Sequence, residues 1–128
     1  MIGKADWLQP FTWDFVVAQN EILCRAKSAH HGPTSDGHAD AKAYWDQARQ
    51  HEMSLIDAIE VCRKCHRLAP FTNFNGNTFA AIARILMKRL NLDATQENLA
   101  RSLAGHIVAG VASDEEVKAF RKFCDSLG

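Results

Sequence analysis

Apolar positions along this chain recur at three- and four-residue steps and nowhere alternate strictly, a pattern that predicts helices and no sheet. From about Pro10 to Ala29 the stripe is Phe11, Phe15, Ala18, Ile22 and Ala26, widened by Trp13, Val16 and Leu23. Pro10 suits a first turn, where a missing amide proton costs little. Ala29 to His38 has two glycines, a proline and small polar residues, so it reads as a solvated loop carrying three histidines. A second helix over about Ala39 to Gln50 places Ala41, Tyr44, Trp45 and Ala48 on one side. Ser54-Leu-Ile-Asp57 matches a capping box, so a third helix restarts at Leu55; one continuous helix from 39 to 68 is the alternative. Its inward face is Leu55, Ile59, Cys62 and His66, flanked by Ala58, Cys65 and Leu68, and Pro70 ends it.

Beyond Pro70, Phe71 and Phe74 are expected to tuck under a turn, Gly76 to take a left-handed conformation, and Asn77 or Thr78 to cap a fourth helix. That helix spans about Phe79 to Leu90, with Phe79, Ile82, Leu86 and Leu90 inward. Thr95 is placed to cap a fifth, about Gln96 to Ala109, whose apolar residues are Leu99, Leu103, Ile107 and Val108 and whose end suits Gly110. Ser113-Asp-Glu-Glu116 is another capping box, opening a sixth helix with Val117, Phe120, Phe123 and Cys124 on its apolar face. The expected fold is all-α, a compact bundle of five to six helices in a single domain over residues 1–128.

A chain of 128 residues is long enough for a core without staples. Fifteen basic and fifteen acidic residues cancel, so no overall field draws in polyanions, and neither an extended nucleic-acid groove nor a membrane surface is an expected partner. Lys4, Asp6, Gln9 and Pro10 interrupt the first ten residues, no run approaches the ~18 apolar residues of a membrane span, and the expected location is cytoplasmic with reduced cysteines.

Candidate chemistry concentrates in Cys62-Arg-Lys-Cys65-His66. The simplest reading makes both cysteines small buried apolar residues and His66 a helix-end side chain bonded to a carbonyl or to the turn, with no cofactor. On one helix Cys62, Cys65 and His66 also share an arc of about 100°, so two thiolates and an imidazole could face one zinc ion, the fourth ligand coming from His106, Cys24, Cys124 or a loop histidine. Cysteines three apart can also approach disulfide distance, although a helix C-terminus opposes thiolate formation. In its spacing the motif resembles the haem attachment site of c-type cytochromes, which implies thioether bonds from Cys62 and Cys65 and iron ligation by His66.

Arg63, Lys64 and Arg67 precede the turn, and Arg84, Lys88 and Arg89 end the fourth helix. Each group complements its own helix C-terminus, at opposite ends of the hairpin. A small anion site is expected from Arg63 and Arg67 beside the free amides near Asn77 and Thr78, with Asn73 and Asn75 as further donors; alternatively the asparagines satisfy turn backbone. Arg101-Ser-Leu-Ala-Gly-His106 resembles the Arg-x4-His spacing of HEPN-type ribonucleases, which implies a phosphate-holding Arg101 and an acid-base His106. On a regular helix these two point about 140° apart, so a joint site needs a break near Gly105 or a second subunit. The sequence thus points first to a binding or regulatory module for a protein or a small anionic ligand, with homodimerisation open. Trp7, Trp13 and Trp45 serve either an interface or the core.

Overall fold

The computed structural model describes residues 3–127, and among them every regular element is helical. The order is α1 (Trp13–Ala26), α2 (Gly37–Ala48), α3 (Leu55–Leu68), α4 (Asn75–Met87), α5 (Ala94–Ala109) and α6 (Asp114–Ser126), with a single 3-10 turn, Lys88–Leu90, after α4. The central pair is α3 and α4. The first packs on α2, α4, α5 and α6, and the second on α1, α3 and α5. The core runs through Trp45, Phe79, Phe120, Ile59, Ile82, Leu86 and Ile107, all fully buried. No helix of the described residues is long and apolar enough to cross a membrane.

Three capping sites fix the helix starts where they were expected or close by. Ser54 accepts from the Asp57 amide and opens α3 as a separate helix, which removes the continuous 39–68 alternative. Ser113 and Glu116 form the reciprocal box at α6. At α5 the box is made two residues early by Asp93 and Gln96 rather than by Thr95, because a carboxylate at Asp93 already meets the first-turn amide and the helix dipole. Gly110, at φ 77°, closes α5.

Two further expectations fail. Helix α1 begins at Trp13 behind a Thr12 cap, not at Pro10, and it buries Trp13, Val16, Asn20 and Cys24 while Ile22 stands 57% exposed. The inward stripe is therefore rotated, because a polar residue, Asn20, is drawn into the interior by hydrogen bonds. Helix α4 begins at Asn75 rather than Phe79. Phe74, not Gly76, takes the left-handed conformation (φ 59°), so Asn77 and Thr78 lie inside the helix and cap nothing.

Residues 3–12 form a strap. Ala5 and Met53 exchange backbone bonds of 2.9 and 3.0 Å, Trp7 and Leu8 are buried, and the Arg89 guanidinium lies 4.6 Å over the Trp7 ring. Trp45 donates its indole N–H to the Phe11 carbonyl at 2.9 Å. Both tryptophans are core, as is Trp13.

Candidate functional site

The Cys62 and Cys65 side chains lie inside the core of α3, each fully buried, with Cys65 Sγ facing the Ala41 carbonyl at 4.0 Å. Burial, reinforced by Cys65, pushes the Cys62 thiol far above its usual range, and burial pushes Cys65 up to about 12. Burial thus disfavours the thiolate, the form that ligates zinc or attacks a disulfide, at both positions. His66 turns to α5 and donates from Nδ1 to the Val108 carbonyl at 2.8 Å. Its other nitrogen rests against the start of α4, where a Cβ on Gly76 would sit 3.3 Å from it, so Gly76 serves close approach rather than a turn. Cys24 and Cys124 sit on α1 and α6, and all four cysteines are free. Among the described residues no three His, Cys, Asp or Glu side chains form a group able to hold a metal ion.

The turn after α3 is a docking platform for the loop after α1. Thr34 N–H donates to the Pro70 carbonyl (2.9 Å), Thr72 N–H to Gly32 (3.0 Å), and Thr34 Oγ1 to the Ala69 carbonyl (2.7 Å). Asn73 donates to the His30 carbonyl at 2.9 Å, and Asn75 clasps Phe71 by both its amide and its carbonyl. These two asparagines therefore satisfy turn backbone. Arg63 pairs with Glu60 at 2.7 Å, Arg67 is exposed, and Asn77 points away from the turn, towards α5.

Beneath that platform is a polar network. Asn20 is fully buried and uses its whole hydrogen-bonding capacity: Nδ2 donates to the Asn73 carbonyl (2.7 Å) and to Thr78 Oγ1 (3.0 Å), and Oδ1 accepts from Cys24 Sγ (3.5 Å) and His31 Nδ1 (2.8 Å). With both amide hydrogens committed, only Oδ1 faces His31, so the imidazole carries its proton on Nδ1. Trp13 donates to His38 Nε2 at 3.2 Å, and the Phe71 ring stacks on Trp13 and meets His38 edge-on. Two of the three loop histidines are thus built into the structure rather than solvated.

A second site lies on another face, between α4 and α5, and sequence reasoning missed it. Two adjoining hollows of about 560 and 690 Å³ share Arg84, Met87 and Arg101. Both volumes fall within the roughly 300–1,000 Å³ of small-molecule sites. The first hollow adds Ile85, Leu92, Lys88 and Glu97; the second adds Asn77, Asn98 and Ser102 over a floor of alanines and Gly105, with Leu23 of α1 at its side. Arg84, Lys88 and Arg101 are exposed, and among the described residues none of the three has an ion-pair partner. Three cations thus face one carboxylate, Glu97. The signal in the sequence was split: Arg84 and Lys88 looked like a helix end, and Arg101 was matched with His106. Only the packing of α4 on α5 joins them.

Arg101 and His106 are not brought together within the chain. Helix α5 runs unbroken through Gly105, and His106 Nδ1 bonds Glu116 of α6. That hydrogen bond, followed by one from the Ser113 amide, holds the Glu116 carboxyl below its ordinary range. No family model, curated protein or solved structure matches the chain.

Proposed function

We propose that this chain is a small helical binding module whose ligand is anionic and sits in the trough between α4 and α5. The observation that carries the reading is the pair Arg84 and Arg101: two guanidiniums from adjacent helices over shared hollows, backed by Lys88, with no carboxylate bridging any of the three among the described residues. Guanidinium forks match phosphate and carboxylate oxygens in pairs, and such charge-assisted bonds are the strong ones. Between the protein partner and the small anion expected from the sequence, the unmatched charge favours the anion. The turn of Asn73 and Asn75 has its side-chain donors engaged already, which moves the expected anion contacts from Arg63 and Arg67 to Arg84 and Arg101, with Asn77 common to both.

Titration calorimetry with pyrophosphate at low ionic strength tests this. Saturable binding is expected, and Arg84→Gln or Arg101→Gln should each weaken it about 10- to 100-fold, as loss of a charged hydrogen bond of roughly 1.5–3 kcal/mol requires. No saturable heat, or equal affinity in both variants, would overturn the reading.

A further inference from the structure

We infer that the anion recognised in the trough is an internal one, a phosphodiester with a nucleoside on each side, so that the module binds a dinucleoside phosphate step. The inference rests on the preceding reading of the trough as an anion site and concerns what flanks the charge. The two hollows meet at Arg84, Met87 and Arg101, so the guanidinium pair stands at their junction. A carboxylate or a phosphomonoester bears one substituent and would leave one hollow unfilled. A phosphodiester bears two and a single negative charge, which suits one central guanidinium pair.

The linings differ in the way two nucleosides would use. In the first hollow Ile85 and Leu92 offer apolar side chains against which a base can pack, beside Lys88. In the second, Ala80, Ala83, Ala104 and Gly105 make a low floor beside Leu23 of α1, and nothing lies within 4 Å of the position a Cβ on Gly105 would take. A planar ring can lie flat there, while Asn77, Asn98 and Ser102 present amide and hydroxyl groups of both donor and acceptor type, the chemistry that reads a base edge. The arginines can also stack on bases, as an ammonium cannot. The site is two nucleotides long, in keeping with a chain of zero net formal charge.

Fluorescence or calorimetric titration of the intact chain with adenylyl-(3′→5′)-adenosine, adenosine monophosphate, pyrophosphate and hexaadenylate tests the inference. The dinucleoside phosphate should bind at least about tenfold more tightly than the monophosphate, the size of effect that one further stacked base produces. Asn98→Leu, an exposed position, should erase that advantage, with thermal melts confirming that the variant folds. Equal affinity for dinucleoside phosphate and monophosphate, both lost in Arg84→Gln, overturns the inference and leaves the anion site standing. No binding of any probe overturns both. Hexaadenylate binding beyond the gain from its several equivalent registers assigns the ligand to a single strand, and no such gain assigns it to a free dinucleotide; either upholds the dinucleoside step.

Discussion

Gly37 is the position at which one methyl group should do most harm. It is the first residue of α2, and a Cβ there would lie 2.1 Å from the Leu68 carbonyl oxygen, 2.6 Å from that of Ala69 and 3.0 Å from Thr34 Oγ1. The two nearest atoms are backbone at the end of α3, so no side chain can swing aside. Gly37→Ala must push the loop off the turn by more than an ångström, breaking the bonds Thr34 N–H to Pro70, Thr34 Oγ1 to Ala69 and Thr72 N–H to Gly32. At about 0.5–1.5 kcal/mol net for each of the three, the loss is about 2–4 kcal/mol. For a domain of this size that lowers Tm by roughly 6–20 °C. Gly105→Ala is the control, because nothing lies within 4 Å of its Cβ position inside α5, and removing a helical glycine there should stabilise by about 0.5–1 kcal/mol. Urea unfolding of the two variants, followed by circular dichroism, gives both numbers. A Gly37→Ala protein as stable as the parent would refute the docked loop and, with it, the account of the His31 network.

Three further outcomes follow from particular contacts. Asn20→Leu should destabilise by about 2–5 kcal/mol, since it strands the Asn73 carbonyl, Thr78 and His31 beside an apolar side chain, and hydrogen exchange should show the 69–74 turn loosened. A thiol reagent at neutral pH should label Cys124, half-buried and raised only to about 11, before Cys62 or Cys65, which should react only on unfolding; fast native labelling of either would contradict their burial. His106→Ala should raise the Glu116 pKa towards its ordinary value, read by carboxyl NMR titration. Because the folded value is depressed, stability from this contact is present above the unfolded pKa and lost as pH falls through the folded one, so the variant should also show less acid sensitivity in that window.

Much of the helical frame was legible because capping residues are local signals. Ser54 and Ser113 mark their helices outright, and the inward face of α4 follows from Phe79, Ile82 and Leu86. What escaped was set by contacts distant in sequence. Asn75-Gly-Asn-Thr has turn composition, yet it is helix because Asn75 clamps Phe71 and the left-handed step falls on Phe74. Asn20 counts as polar in any periodicity, and only Asn73, Thr78 and His31, drawn from other segments, make its burial favourable. The burial of Cys62 and Cys65 and the carbonyl bond of His66 follow the simplest sequence reading. The trough needed two residues seventeen apart to meet across packed helices.

The most direct test of that trough is to map pyrophosphate onto assigned backbone amides by heteronuclear NMR. The account predicts the largest shifts at Arg84, Met87, Lys88, Arg101 and Ser102, with Arg63, Arg67, Asn73 and Asn75 unmoved. Shifts centred on the latter four residues, or none anywhere, would contradict it.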